Sequence, residues 1–356
     1  MTLKKILFGF GSIAIVFTLI PLIPSDYWLF RMFDFLYIQL STLTLVAIIT
    51  FFIKFDIKYK KDYLFVSLLL ICFAYQFSKI VPFTPLHDKE VLDSTFNDHQ
   101  YQIKLLTANV LQENENSERL VETIKKLDAD VMVFTEANKR WKEAILNNLS
   151  ADYKYKVELP LDNTYGMLMY SKLELINPEI KFIVTDSIPS IHTKVRLRSG
   201  DVIKIYAVHP TPPMPQENKQ STDRDAELML TARLARESET PAVVIGDFND
   251  IAWSSTSKLF QRSSELLDVR VGRGFYCTYN AKKSIMRWAL DHIYVSPEFR
   301  LLNLKSCSSI ESDHFPYYVE LNYEPEGAKE QMPEPATAKE LERAQKQIEK
   351  LSKKSQ

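Results

Sequence analysis

The sequence is poor in cysteine and almost neutral in overall charge. Its three cysteines, Cys72, Cys277 and Cys307, follow no metal-ligand spacing, so no cysteine-based zinc site is predicted. Two unpaired side chains at positions 277 and 307 are favoured over a disulfide between them, which would require an oxidising compartment. The formal net charge of −1 excludes the overall positive field that draws proteins onto nucleic acid. Any contact with nucleic acid must therefore be local.

Long apolar runs are confined to the first part of the chain. Hydrophobic residues make up 46% of the 356 residues and charged residues 25%, which is enough for a folded core and excludes disorder throughout. Three runs, Ile6–Ile23, Phe35–Ile53 and Tyr63–Val81, each approach the roughly 17–25 residues that cross a bilayer. We predict three transmembrane helices, which form a membrane anchor over residues 1–83.

Two of these runs have an alternative interpretation. Lys4 and Lys5 before the first run are typical of a signal peptide, although no small-residue cleavage site follows it. The third run ends in the polar residues Gln76, Ser78 and Lys79, so a buried helical hairpin is the alternative to a third span. The second run would anchor the chain in either case.

The distribution of lysine and arginine between the runs predicts the orientation of the anchor. Lysines precede the first run, and four more lie between the second and third, whereas the loop between the first and second offers only Arg31. Short loops rich in positive charge stay in the cytoplasm. Three spans then place the remainder of the chain on the periplasmic or extracellular side of the cytoplasmic (inner) membrane.

The chain changes character after the third run. Prolines and polar residues predict a linker over residues 84–100, and residues 101–323 then alternate between strand and helix patterns. Residues 324–356 predict a charged tail, partly helical or disordered, with too few heptads for a coiled coil. The central domain is predicted to be α/β (α+β), with packed sheets and helices outside. Its main predicted strands are 103–108, 131–135, 167–170, 194–197, 202–208, 242–245, 292–295 and 317–322.

Polar side chains cluster at the ends of these predicted strands. Because strands are rigid, their ends can bring side chains from several parts of the chain to one edge of a sheet. Carboxylate and amide oxygens suit a hard divalent cation, and a cation with imidazoles suits a phosphate ester. Each residue alone could instead cap a helix or close a turn, but their number and order favour an active site. They are Asn109, Glu136, His209, Asp247, Asn249, Asp291, Asp313 and His314.

The blocks that carry these residues resemble the motifs of the endonuclease/exonuclease/phosphatase superfamily. The resemblance implies a four-layer sandwich of two stacked β-sheets flanked by helices, preceded here by the three predicted transmembrane helices. It also implies an active site at one edge of the sandwich. The N-terminal anchor resembles a membrane-attached branch of the superfamily. The matching blocks are Leu106–Val110, Val133–Glu136, Tyr206–Pro210, Val244–Asn249, Leu290–Tyr294 and Ser312–Pro316.

The same resemblance implies a metal site. Glu136 would be the principal ligand of Mg²⁺, with Asn109 and Asp313 at or near the ion. Mn²⁺ is the alternative metal. A divalent cation would counter the negative charge that develops on a phosphate during attack.

The resemblance further implies five catalytic residues. Asp291 would orient His314, which would contact the scissile phosphate as an imidazolium. Asp247, with Asn249 beside it, would position the attacking water or the transition-state oxygens. His209 would be the candidate acid for the leaving oxygen, although the sequence offers no identifiable carboxylate partner for it.

Aromatic and basic residues alternate between the fourth and fifth blocks. Arg287 and Trp288 are candidate substrate-binding residues, and a hairpin with a solvated basic turn is the alternative. The predicted function is a membrane-anchored Mg²⁺-dependent phosphoesterase that hydrolyses phosphodiester bonds. Nucleic acid is the first expected substrate, and a phospholipid or sphingolipid head group is the second. A non-catalytic membrane-tethered binding protein is the alternative of another class, and no protein partner is identifiable.

Overall fold

The computed structural model describes residues 2–354, with side chains up to residue 351. Residue 1 of the predicted anchor and residues 355–356 of the predicted tail lie outside the described residues. Short 3-10 helices extend several of the α-helices. The α-helices are α1 (Leu3–Leu19), α2 (Trp28–Arg31), α3 (Tyr37–Phe51), α4 (Lys60–Ile80), α5 (Glu118–Leu127), α6 (Lys139–Leu146), α7 (Thr222–Arg236), α8 (Ser255–Ser264) and α9 (Ala338–Lys354).

The strands of the described chain form two six-stranded mixed sheets. The first sheet has the order β11-β12-β1-β2-β4-β3, and the second has the order β5-β6-β7-β8-β10-β9. The pairs β1–β2 and β7–β8 are parallel, and the other pairs are antiparallel. The strands are β1 (Gln102–Asn109), β2 (Val131–Thr135), β3 (Tyr155–Leu159), β4 (Met167–Ser171), β5 (Leu175–Lys181), β6 (Ser190–Arg196), β7 (Val202–Val208), β8 (Ala242–Asp247), β9 (Leu267–Asp268), β10 (Asp291–Val295), β11 (Phe299–Ser306) and β12 (Tyr317–Tyr323).

Alternating side chains of the strands build the core in layers. One set, including Val133 and Ile205, fills the space between the two sheets. The opposite face of the first sheet packs against α5 and α6 through residues such as Trp141. The opposite face of the second packs against α7 and α8 through residues such as Phe260. This arrangement confirms the predicted sandwich of two sheets flanked by helices, and each fully buried large apolar side chain contributes about 1.5–3 kcal/mol.

Three N-terminal helical segments are long and apolar enough to cross a membrane, as predicted for this part of the chain. They are Leu3–Leu22, Trp28–Lys54 and Lys60–Phe83. They pack together as a helical bundle (residues 3–83) around Phe51 and Phe65. Most of their remaining apolar surface is not covered by protein, as expected for helices whose outer face meets lipid.

The two ends of the helical bundle have different environments. At one end, Lys4 forms an ion pair of 2.5 Å with Asp62, which brings the N-terminus beside the loop between α3 and α4. The other end contacts the β-sandwich. There the Trp28 amide donates to the Lys219 carbonyl at 2.9 Å, and the Gly272 amide donates to the Pro82 carbonyl at 2.8 Å. The N-terminus and the α3–α4 loop are therefore remote from this contact.

Both segments that flank the sandwich in sequence pack against it. Val91, within the predicted linker, is completely buried in the layer between the sheets. In the tail, Ala344 and Ile348 on one face of α9 pack against the cluster of α7 and α8. Lys350 of the same helix forms an ion pair with Asp26 at the domain end of the helical bundle. These contacts join the linker and the tail to the main core.

Candidate active site

The polar ends of the central strands meet at one edge of the sandwich. In the first sheet, parallel pairing sets Asn109 opposite Thr135, and Thr135 is the residue directly before Glu136. In the second sheet, antiparallel pairing sets Asp291 opposite Asp247. Register within each sheet therefore brings these candidate side chains to the same edge of that sheet.

Asn109 links the carboxylates of the two sheets. Its amide nitrogen donates to Glu136 Oε1 at 2.8 Å and to Asp247 Oδ2 at 3.1 Å. Its amide oxygen accepts from the Leu111 amide at 3.0 Å, so the nitrogen and not the oxygen faces the carboxylates. Burial raises the pKa of Glu136, although His209 opposes this change. The centre is thus a buried, acidic cluster from both sheets.

The glycine before Asp247 is required by the close approach of two strands. Gly246 has φ of 141°, which L side chains rarely adopt. A Cβ atom at this position would lie 2.1 Å from the Val208 carbonyl oxygen. Glycine therefore allows β8 to approach β7 where Asp247 enters the site.

His314 and Asp291 form a buried dyad. His314 Nδ1 lies 2.7 Å from Asp291 Oδ2, and Nε2 lies 3.6 Å from Asp247 Oδ2. Burial alone would lower the pKa of His314, but Asp291 and Asp247 together raise it to about 10. The imidazole is consequently a cation near neutral pH, with Nε2 directed toward the acidic cluster.

His209 approaches the same cluster from the other side. Its Nε2 lies 3.8 Å from Asp247 Oδ2, and its ring lies 5.4 Å from the ring of Tyr165. The buried Nδ1 has no hydrogen-bond partner among the described residues. Asp247 is thus the carboxylate nearest to His209, a neighbour that the sequence did not identify.

Asn249 and Asp313 both line the cavity beside the dyad. Asn249 has φ of 50°, and its amide nitrogen donates to the Pro210 carbonyl at 2.9 Å. Its backbone amide donates to Asp247 Oδ1 at 2.9 Å, which orients that carboxylate. Asp313 is partly exposed to the cavity, next to His314. The backbone and side chain of Asn249 therefore hold the Asp247 end of the site in place.

The site opens into a cavity of about 540 Å³. Polar residues at its base include Glu136, Asp247 and His314, whereas much of its wall is apolar. Part of that wall comes from the helical bundle, through Trp28, Met32, Phe35 and Leu36. The cavity therefore lies between the sandwich and the bundle.

Only one of the two predicted substrate-binding residues lines this cavity. Trp288 does so, with its ring 5.8 Å from the ring of Phe35 and 6.1 Å from that of Tyr279. The Arg287 guanidinium instead lies 5.0 Å over the ring of Phe315, and its Nε donates to the Lys283 carbonyl at 2.6 Å. Arg287 therefore contacts Phe315 and Lys283 and is not among the residues that line the cavity.

Two tyrosines that were not predicted as site residues also line the cavity. Tyr279 lies with its ring 5.0 Å from the ring of His314, and the Tyr165 hydroxyl donates to Glu217 at 3.1 Å. Burial raises the pKa of both tyrosines, so both phenols stay neutral. Tyr279 lies in the stretch of aromatic and basic residues between the fourth and fifth blocks, whereas Tyr165 follows no predicted strand end and gave no signal.

Residues 106–314 match the model of the Endonuclease/Exonuclease/phosphatase family, which covers more than half of the chain. The chain belongs to this family. It is a family of hydrolases that act on phosphoric esters. No significant match was found among curated protein sequences.

Solved structures show the same fold at low sequence identity. TDP2 from D. rerio, in a complex with a single-strand DNA product, superposes with a TM-score of 0.52 and 17% identity, covering 62% of this chain and 99% of that one. A family member from Bacteroides vulgatus superposes with a TM-score of 0.50 and 17% identity, covering 63% of this chain and 99% of that one. A family member from Beutenbergia cavernae superposes with a TM-score of 0.50 and 14% identity, covering 63% of this chain and 72% of that one. At these identities the likeness shows the fold alone.

The site has the donor set of a divalent cation. Glu136 is partly exposed, and among the described residues its carboxylate accepts only from the Asn109 amide and, at 3.4 Å, from the Gln112 backbone. Asp247, Asp291 and His314 also place potential ligand atoms within 4.8 Å of one another. In the group of Asp247, Asp291 and His314, the Nδ1 atom of the imidazole already contacts Asp291. This contact favours a His–Asp dyad over a metal site formed by these three residues. Under-coordinated carboxylate oxygens beside Asp247 therefore fit a hard cation.

Proposed function

We propose that the protein is a membrane-anchored, Mg²⁺-dependent phosphodiester hydrolase. The observation that carries this proposal is the convergence of Glu136, Asp247 and the His314–Asp291 pair at the base of one cavity. Family membership supports the chemistry, and the exposed apolar faces of the N-terminal helices support the anchor. The unit boundaries proposed for the chain are an anchor over 1–83, a linker over 84–100, a catalytic domain over 101–323 and a tail over 324–356.

Glu136 and Asp313 would hold the cation, with Asn109 orienting the Glu136 carboxylate. Asn109 could itself become a ligand only if its amide oxygen faced the site, because the nitrogen does so in this structure. When bound, a divalent cation supplies positive charge to the phosphate oxygens. Asp313 itself lines the cavity, so a cation held there would be accessible to a substrate.

The histidines and Asp247 would carry out the proton and charge chemistry. His314, a cation held by Asp291, would donate to a phosphate oxygen and stabilise the negative charge that develops there. Asp247 would accept from the attacking water, and Asn249 holds that carboxylate in place. His209 would give a proton to the leaving oxygen. The new bond joins water oxygen to phosphorus, and the bond that breaks joins phosphorus to the leaving oxygen.

Nucleic acid, the first substrate expected from the sequence, becomes the second candidate once the cavity is considered. The observation in its favour is the exposed basic turn at Lys282 and Lys283, next to the cavity residue Met286. Binding of a strand depends on Lys and Arg contacts to phosphates. Among the cavity-lining residues of the described chain, however, Arg31 is the only lysine or arginine, and it lies 3.2 Å from Asp26. A phosphodiester other than nucleic acid therefore fits the cavity better.

The orientation of the protein is proposed from the charge of its loops. The loop with four lysines and the N-terminus lie at the bundle end that is remote from the sandwich. If that end is cytoplasmic, the catalytic domain faces the periplasm or the cell exterior.

The test uses the full chain in lipid nanodiscs with bis(p-nitrophenyl) phosphate, in Mg²⁺, in Mn²⁺ and with a chelator. We expect metal-dependent release of p-nitrophenol that the chelator abolishes. His314→Ala should reduce the rate by about 10²–10³-fold, the usual effect of removing one charge-stabilising donor. His99→Ala, an exposed histidine of the linker, is the matched control. Metal-independent hydrolysis, or equal rates for the two histidine variants, would overturn the proposal.

A further inference from the structure

The helical bundle contributes a wall of the catalytic cavity and so does more than attach the domain to a membrane. We propose that the substrate is a phosphodiester with a long apolar chain, drawn from the bilayer, and that this wall binds the chain. The proposal rests on the phosphodiester hydrolysis proposed above. The wall comprises Trp28, Met32, Phe35 and Leu36, which lie at the start of the second span.

The wall is hydrogen-bonded to the loop between β8 and α8 and to the start of α8. The Trp253 indole donates to the Asp34 carbonyl at 2.9 Å, and Arg31 donates to the Ser255 hydroxyl at 3.1 Å. Phe35 packs edge-on against Trp288 across the cavity. A surface that is already ordered loses little entropy when a ligand binds, so the wall is preformed for an apolar group.

Three methionines surround the mouth of the cavity. Met32 and Met214 are 41% exposed and Met286 is 40% exposed, and all three line the cavity. Methionine is flexible and polarisable, so it adapts to apolar groups of variable shape. One of the three comes from the helical bundle and two from the sandwich, so a chain leaving the cavity would contact both.

Exposed apolar residues also flank the cavity on the bundle side and on the sandwich side. Along the chain, exposed Leu29 lies between Met32 and the exposed residues Leu22 and Ile23 at the end of the first span. On the sandwich side, Ile285 is 80% exposed and its carbonyl accepts from Gln39 of the second span at 3.4 Å. Contiguous exposed apolar residues are typical of surfaces that meet lipid or an apolar ligand. Because the wall residues lie at the start of a segment that is long and apolar enough to cross a membrane, the favoured occupant is a chain that remains partly in the bilayer.

The test is a series of p-nitrophenyl alkyl phosphates with methyl, butyl and octyl chains, hydrolysed by the full protein in nanodiscs. Complete burial of one methylene corresponds to about fourfold in affinity. Because the wall is half open, we expect kcat/KM to rise by ~10–100-fold from methyl to octyl. Met32→Gln should lower the octyl-to-methyl ratio by about threefold or more. The control is Met332→Gln, the same change at a 64%-exposed methionine of the tail, whose ratio should equal that of the native protein.

The control separates the wall from simple partitioning into the nanodisc, which is the same for every variant. An octyl-to-methyl ratio of kcat/KM near one, or equal ratios for the two methionine variants, would overturn the apolar-chain proposal. Neither result would affect the proposal of metal-dependent hydrolysis, which the methyl ester tests. A single-stranded oligonucleotide hydrolysed with a higher kcat/KM than the octyl ester would also overturn it. Failure of the methyl ester itself to react in a metal-dependent way would instead refute the underlying hydrolase proposal.

Discussion

Replacement of Asp291 by asparagine tests whether the His314 imidazolium takes part in turnover. Asp291 Oδ2 lies 2.7 Å from His314 Nδ1, and His314 has a pKa raised to about 10. An opposite charge at this distance accounts for about 1–3 pKa units. The pKa of His314 in Asp291→Asn should therefore fall to about 7–9. The alkaline limb of the kcat/KM profile should move down by the same interval.

The size of the effect depends on pH in a defined way. With a pKa of about 8 in the variant, roughly a tenth of the imidazole stays protonated at pH 9, against about nine-tenths in the native protein. The variant should then lose about tenfold more activity at pH 9 than at pH 7, relative to the native protein. The assay is hydrolysis of bis(p-nitrophenyl) phosphate between pH 6 and 10. Asp186→Asn, at an exposed carboxylate, is the control.

Stability should follow the same titration. Because the folded-state pKa of His314 lies above its unfolded value, its contribution is complete below about pH 6.5 and is lost as pH rises toward about 10. Asp291→Asn should flatten this decline in the free energy of unfolding. The double variant Asp291→Asn/His314→Ala should be less impaired than the product of the single effects, because the two residues act as a unit. An unmoved alkaline limb, or fully multiplicative losses, would refute the dyad.

Two further predictions concern the fold and its orientation. Gly246→Ala should destabilise the protein by at least about 1–3 kcal/mol through its strained φ, and further through the clash of its Cβ atom with Val208. Gly200→Ala is the control, because Gly200 has a positive φ but open space around it, and it should cost less. Thermal unfolding of both variants measures the difference. In a cysteine-free background, a membrane-impermeant thiol reagent should label Ser308→Cys in intact cells but not Tyr59→Cys, and the reverse pattern would place the catalytic domain in the cytoplasm.

Local sequence patterns predicted the interior of the sandwich better than its margins. The predicted strands overlap β1, β2, β4, β6, β7, β8, β10 and β12, which are the inner strands of the two sheets. The strands that were not predicted, β3, β5, β9 and β11, are the four edges of the described sheets. In β5, Pro178 and the left-handed Asn177 (φ 47°) interrupt the alternation, and pairing with β6 shifts register there. Edge strands tolerate such interruptions because only one side must pair.

The candidate site was predictable where chemistry follows a buried strand. Glu136 and Asp247 both lie at the ends of apolar strands, one in each sheet. The stacking of the two sheets then brings both carboxylates within reach of Asn109. The cavity wall was not predictable in this way. Trp28 lies about 180 residues from His209 in sequence, and both line the same cavity. No periodicity within the first hundred residues indicates that contact.

The most direct test of the account is the rate of phosphodiester hydrolysis as a function of free Mg²⁺, for the native protein and for Glu136→Gln. The amide keeps the shape of the side chain but removes the charge that would hold the ion. Glu143→Gln, at an exposed position of the neighbouring helix α6, is the control. We predict a saturable Mg²⁺ dependence that Glu143→Gln retains and Glu136→Gln loses, with both variants folded. Equal Mg²⁺ dependence in the native protein and Glu136→Gln would contradict the account.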